Sequence, residues 1–174
     1  MDEVDKELAL IEERGAKHSE IGLDLLQHEI GGLCGRPAET LDVSATVGDA
    51  IDTMQAGRFG AVVITKDGKL VGILTERDLL MKVLGKIDDY RTRPIDELMT
   101  ANPESLRKED ELVYLMNAMR MGGFRHMPIV DDQGTPLHVV SVRDVLAHVL
   151  EQFADEIKNI PPGPYRGERK QYSG

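Results

Sequence analysis

Two aspartates, Asp78 and Asp144, share a setting: each follows a hydroxyl side chain, Thr75 or Ser141, by three positions. Their surroundings match as well: Gly72-Ile-Leu-Thr-Glu-Arg-Asp78 lies over His138-Val-Val-Ser-Val-Arg-Asp144. A Ser or Thr three residues ahead of an acid makes a capping box, which satisfies free amides at a helix start and explains both residues through helix stability alone. The same pair at a strand-to-helix junction can also bind. A helix N-terminus offers amides and a positive dipole end to an anion. A carboxylate beside it can accept hydrogen bonds from both hydroxyls of a ribose, as an acid does in dinucleotide folds. A single copy is explained by capping; two copies at matching junctions shift the weight toward a ligand.

The elements that must position these residues are themselves duplicated. Leu33 to Leu41 lies over Leu98 to Leu106 at an offset of 65, and Val47, Ala50, Ile51 and Met54 match Leu112, Leu115, Met116 and Met119, each set on one helical face. Thr46-Val-Gly-Asp49 is a capping box for the first helix; its counterpart starts near Asp110 or Glu111. Gly57 to Ile64 and Gly122 to Val130 follow as strands, with an extra residue in the second raising the offset to 66 and setting Phe59-Gly60 on the positions of Arg125-His126. Turn signals at Lys66-Asp-Gly-Lys69 and Asp131-Asp-Gln-Gly134 precede short apolar strands at Leu70 to Leu74 and Leu137 to Val140. A last helix in each copy is expected to bury Leu79, Leu80, Val83 and Leu84, or Val145, Leu146, Val149 and Leu150, and to leave apolar surface exposed on a lone module, which predicts a homodimer. Each copy therefore reads β-α-β-β-α. A unit of about 60 residues buries only about 60% of its unfolded surface, so the two are expected to fold as one α/β (α+β) domain.

The boundaries that follow are an N-terminal helical extension at 1–28, repeats at 29–89 and 90–158, and a flexible tail at 159–174. Val4, Leu8 and Ile11, then Ile21, Leu25 and Ile30, have amphipathic helical spacing. The tail, with Pro161-Pro-Gly-Pro164 and no apolar periodicity, is expected to be extended.

Composition narrows the function. The 174 residues carry a formal net charge of −10, which argues against a broad nucleic-acid surface. The longest aliphatic runs are too short for a membrane span, and an acidic N-terminus lacks the pattern of a secretory signal, so a cytoplasmic setting is expected. Cys34 is the single cysteine and is read as a small buried residue; the five histidines show no metal-ligand spacing. There is no Gly-x-Gly-x-x-Gly, no P-loop, no Gly-x-Ser-x-Gly and no His-Glu-x-x-His, so an enzyme is the weakest reading and no catalytic cofactor is expected.

With Gly72 to Asp78, Ser141-Val-Arg-Asp144, Leu98-Met-Thr100 and Arg125-His-Met-Pro-Ile-Val130 in place, the chain resembles a tandem pair of cystathionine-β-synthase (CBS) domains, a Bateman module, over about Leu33 to Phe153. The resemblance implies two βαββα repeats about a pseudo-twofold axis and clefts for an adenosine-containing ligand such as AMP, ATP, NAD or S-adenosylmethionine. It also implies association into a flat homodimer. Carried over by position, it makes Asp78 and Asp144 ribose contacts, Thr75 and Ser141 hydroxyl donors near ribose or phosphate, and Arg125 and His126 a basic pair facing phosphate. For Arg125 a solvated edge charge, and for His126 a satisfied strand histidine, are equally weighted alternatives. Arg77 and Arg143 sit at a variable position of the motif, and surface ion pairs of little worth are an equally weighted reading for them. Because His138 replaces the glycine equivalent to Gly72, the motif ranks the first cleft above the second. The leading function is a non-catalytic sensor acting in trans on an unknown protein partner; the alternative is an interaction or oligomerisation protein with vestigial clefts.

Overall fold

The computed structural model describes residues 24–153; the helical spacing at Val4 to Ile21 and the tail after 159 lie outside the described residues. A four-stranded sheet contains β1 (Thr40–Asp42), β2 (Ala61–Lys66), β3 (Lys69–Thr75) and β4 (Thr100–Ala101) in that order, with β1 parallel to β2 and the remaining pairs antiparallel. β5 (His126–Val130) and β6 (Pro136–Ser141) form a second antiparallel pair. Single bridges extend that pair on both sides, Leu106 in parallel with Ile129 and Pro37 antiparallel to His138. The helices are α1 (Val47–Gly57), α2 (Glu76–Asp78, continued by a π-turn over Leu79–Val83), α3 (Leu112–Gly122) and α4 (Val142–Gln152). Thr46 and Asp49 cap α1 as a reciprocal box, as their spacing predicts.

The strand pairings show that the repeats exchange their opening segments. β4 belongs by sequence to the start of the second repeat yet pairs with β3 of the first, while Pro37 at the start of the first repeat pairs with β6 of the second. The core follows the same rule. Ile95 and Leu98 pack with Val47, Ala50, Met54, Ile64 and Leu74, whereas Ile30 and Leu33 pack with Leu112, Leu115, Met127, Ile129 and Val140. Ile30 and Ile95 are both fully buried.

Backbone polar groups lock the exchange in place. Leu112, at the start of α3, donates its N–H to the His28 carbonyl at 2.8 Å, and Val47, at the start of α1, donates to the Arg93 carbonyl at 3.0 Å. In return Ile30 donates to the Asp110 carbonyl at 2.8 Å and Ile95 to the Ala45 carbonyl at 3.0 Å. Helix-start amides, which have no intrahelical acceptor, are thus satisfied by the other repeat's opening segment.

Two details differ from the sequence expectation. In β2 Ala61 pairs with Thr75, and in β5 His126 pairs with Ser141, so Gly60-Ala61, not Phe59-Gly60, occupy the positions of Arg125-His126. The extra residue of the second repeat falls in the β5–β6 turn instead of ahead of the strand. Phe59 and Phe124 become equivalents, each folded back so that a Cβ on Gly57 or Gly122 would meet its ring at 1.9 or 2.2 Å. The second difference concerns the last helices: Val83 and Val145 are buried, but Leu80 is 61% and Leu146 55% exposed, and Leu84 and Leu150 are exposed with them. Their periodicity is a real apolar face, turned outward from this chain's core.

The α1 and α3 ends are also equivalent, and both turn left-handed. Gly123 does so at φ 68°, but Arg58 does so at φ 55°, where a Cβ costs roughly 1 kcal/mol or more.

Because each core is completed by the other repeat, Ile30→Ala or Ile95→Ala should cost about 2–5 kcal/mol and lower the midpoint of one shared transition. Calorimetric and spectroscopic melting of each variant checks this; two separated transitions would show that the repeats unfold independently.

Candidate functional site

The two acid–hydroxyl pairs are built alike. Thr75 ends β3, and one Asp78 carboxylate oxygen accepts from its amide at 3.0 Å and its hydroxyl at 2.7 Å. Ser141 ends β6, and one Asp144 oxygen accepts from the corresponding groups at 2.7 Å each. Both pairs are capping boxes, because each hydroxyl in turn accepts from the aspartate amide.

They part at the second carboxylate oxygen. Lys82, one helical turn after Asp78, places its Nζ 2.8 Å from Asp78 Oδ1, and the Asp78 side chain is only 15% exposed. Burial pushes the Asp78 carboxyl up, but hydrogen bonds from Lys82 and Thr75 and the Lys82 charge outweigh it and hold the group below its ordinary value. The residue one turn after Asp144 is His148, whose ring lies against His28 with nitrogens 3.5 Å apart. Among the described residues, the other oxygen of Asp144 has no hydrogen-bond or ion-pair partner.

Asp144 lines a cleft of about 1230 Å³, whose apolar lining includes Leu33, Ile51, Met54, Phe59, Leu79 and Val139. Ser141, Arg125 and His126 line the same cleft, so four of the six residues singled out from the sequence are brought together there. Thr75 and Asp78 are not among its lining residues. The exchanged opening segment supplies a wall through Leu33, Gly35, Arg36, Pro37 and Glu39. It is held to β6 by the Ala38 amide on the Leu137 carbonyl at 2.9 Å, and His138 Nδ1 lies 2.9 Å from the Arg36 carbonyl. His138 therefore braces the wall from outside the lining.

Electrostatics and packing set the state of the other groups. Burial is the main cause that pushes His126 below the ordinary imidazole value; Arg125 adds to it, and Glu76 and Asp144 oppose it. The ring sits against a backbone with no side chain, since a Cβ on Gly60 would lie 2.8 Å from His126 Nε2. Arg36 stacks its guanidinium 5.5 Å from the centre of the Phe59 ring. Cys34 is half-buried and donates its thiol to the Ile30 carbonyl at 3.6 Å; burial, then the Asp144 charge, raises its pKa against a smaller effect of Lys108. It is a poor nucleophile at neutral pH.

Sequence reasoning overlooked Arg36 and Arg58, took Phe59-Gly60 only as the residues that replace the basic pair, and weighed Arg143 equally as a surface ion-pair residue; all five line the cleft. The signals that distinguish the repeats were short ones: Lys82 against His148 four residues after the acid, and Arg58 against Gly123 at the helix ends. Arg77, by contrast, donates to the Gly123 carbonyl at 2.8 Å.

The shifted groups make two pH windows. A histidine whose folded pKa is lowered contributes stability above its unfolded value near 6.5, lost as pH falls through the folded value. A depressed aspartate contributes stability above its unfolded value near 3.8, lost as pH falls further. Urea denaturation across pH should show His126→Gln flattening the decline below pH 6.5 and Asp78→Asn flattening it only below pH 3.8. Unchanged slopes in both variants would remove these assignments.

Comparison with known proteins agrees with the duplicated architecture. The family model for the CBS domain matches residues 30–85 and 95–151. CBS domain-containing protein CBSCBSPB5 of Arabidopsis thaliana is 35% identical over 82 residues, 47% of this chain; the chain spans only 15% of that relative's length. The crystal structure of a CBS-domain containing protein from Agrobacterium tumefaciens is 31% identical with a TM-score of 0.63, covering 69% of this chain and 98% of that one. A CBS domain protein from Pyrobaculum aerophilum, complexed with AMP, is 25% identical with a TM-score of 0.65, covering 73% and 99%. With two matched repeats that together span more than half its length, the chain belongs to the CBS-domain family.

Proposed function

We propose that the protein is a non-catalytic sensor that binds an adenosine-containing ligand in the cleft lined by Ser141 and Asp144 and acts in trans on a protein partner in the cytoplasm. The observation that carries this reading is the second oxygen of Asp144, which has no partner among the described residues and belongs to a residue lining a large amphipathic cleft. Such an oxygen can accept from ribose hydroxyls without giving up the helix cap. Leu33, Met54, Phe59 and Val139 provide apolar surface for a base, and Arg125 and His126 provide charge and a ring nitrogen for phosphate. The AMP complex of the Pyrobaculum relative supports the ligand class. Thr75 and Asp78, tied to each other and to Lys82, serve as the helix cap in this reading, which reverses the rank expected from the intact Gly72–Asp78 motif.

Binding can move a partner only through different affinity for two conformations. The wall built from residues 33–39 is the element through which such a difference would pass, because it touches both the cleft and the second core. We further propose a homodimer closed over Leu80, Leu84, Leu146 and Leu150, which leave apolar surface uncovered on one chain.

Titration calorimetry with AMP should show Asp144→Ala weakening binding by about 10- to 150-fold, the cost of a lost hydrogen bond to a charged acceptor. Asp78→Ala should leave the affinity within about twofold while lowering stability by about 1 kcal/mol through the lost cap. If Asp78→Ala is the more damaging to binding, the assignment of the cleft is wrong.

Light scattering at micromolar concentration should give the mass of a dimer, and Leu146→Lys with Leu150→Lys, both outside the cleft lining, should return a monomer that still binds AMP. A monomeric mass for the unaltered chain would overturn the dimer.

A further inference from the structure

The arginines of the described residues fall into two groups. Arg77, Arg91, Arg93 and Arg107 each hold a backbone carbonyl or a carboxylate within 2.9 Å, and Arg120 donates to the Met121 sulfur at 3.9 Å. Arg36, Arg58, Arg125 and Arg143 have no side-chain hydrogen bond or ion pair among the described residues, and all four line the cleft. They come from four separate places in the chain: the exchanged segment, the end of α1, the residue ahead of β5 and the first turn of α4. On a chain with net charge −10, all four of these exposed arginines border one cleft, which concentrates positive charge at its mouth.

One of them sits there at a conformational cost. Arg58 holds a left-handed backbone at φ 55°, the position where the other repeat uses Gly123. A glycine would meet the demand of the turn more easily, so the side chain, not the turn, accounts for an arginine there. The lining acids Glu39, Glu76 and Asp144 leave the lining one positive charge in surplus with His126 neutral. Asp144 is in addition committed by one oxygen to its cap.

From this we infer that the cleft selects a nucleoside di- or triphosphate over a nucleoside monophosphate, and rejects adenosine derivatives that carry a cationic sulfonium. The inference rests on the proposed ribose site at Asp144 and adds the phosphate chain. Arg125 and His126 suffice for a single phosphate, and Arg36, Arg58 and Arg143 have fork-shaped donors for further ones. Guanidinium groups at the surface are screened by salt, so the preference for the longer phosphate chain falls with ionic strength.

Titration calorimetry of the full chain with adenosine, AMP, ADP, ATP and S-adenosylmethionine, without divalent cations, tests it. Affinity should rise about tenfold from AMP to ATP at low salt, narrow in 0.5 M KCl to about threefold, and S-adenosylmethionine should bind no better than adenosine. Arg58→Gly should raise the melting temperature yet shrink the ATP-to-AMP ratio, and Arg143→Gln should shrink the ratio with adenosine affinity unchanged. Arg107→Gln, outside the cleft and paired with Asp132, should leave the ratio alone. AMP and ATP binding within twofold of each other, or an equal loss in the Arg107→Gln control, overturns the inference and leaves the adenosine site standing. If none of the five ligands binds, both fall.

Discussion

Neither repeat can close its own core. Ile30 and Leu33 fill the second repeat, Ile95 and Leu98 fill the first, and each opening segment satisfies the first amide of the other's helix. Burying one such side chain is worth about 1.5–3 kcal/mol, and leaving a core short of it adds a cavity cost. The exchange therefore makes the two-repeat unit the smallest object that can be stable. It also fixes the pseudo-twofold relation, since the same pair of backbone hydrogen bonds is made in both directions, by equivalent residues of the two repeats.

The cleft is a by-product of that exchange. A segment that leaves its own repeat to pair with β6 must cross the space between the sheets, and in crossing it lays residues 33–39 beside Ser141, Asp144 and the Arg125-His126 edge. The pseudo-symmetry is broken by small substitutions at this level. Lysine against histidine one turn after the acid separates a carboxylate spent on an internal ion pair from one whose second oxygen has no partner among the described residues. Glycine at position 60 against Arg125 across the axis decides where the half-buried His126 imidazole can rest. One architecture thereby yields two dissimilar environments.

The repeat, its β-α-β-β-α order and the Thr46–Asp49 box were legible because periodicity and capping are local properties of the chain. Strand register was less so: a one-residue insertion can be absorbed before a strand or after it with nearly equal sequence matching, and only the pairing of His126 with Ser141 places it in the turn. The outward faces of α2 and α4 were legible as apolar surface left exposed on a lone module, although the spacing of Leu80, Leu84, Leu146 and Leu150 does not show what covers it. The exchange of opening segments left no mark on composition. Ile30 and Ile95 fit either repeat equally well, and a sequence aligned on itself cannot tell self-packing from reciprocal packing. Of the site, the four residues near Ser141 were found by motif, whereas Arg36 and Arg58 enter the cleft from segments that no motif covers.

The exchange also sets an order of events during synthesis. The Ile95 amide finds its acceptor on Ala45, which has already been made, whereas the Ile30 amide must wait for Asp110, far downstream. At a synthesis rate of about 5–20 residues per second, the Ile30 amide waits roughly 4–16 s for that acceptor, and the core around Ile30 and Leu33 is completed later still, once Val140 and Val145 are made. The first repeat can consolidate as soon as Leu98 emerges; the second must reach back across the whole molecule to recover its plug. Long-range closure of that kind is slow, and the nascent chain carries an uncovered apolar pair until the second repeat has been made.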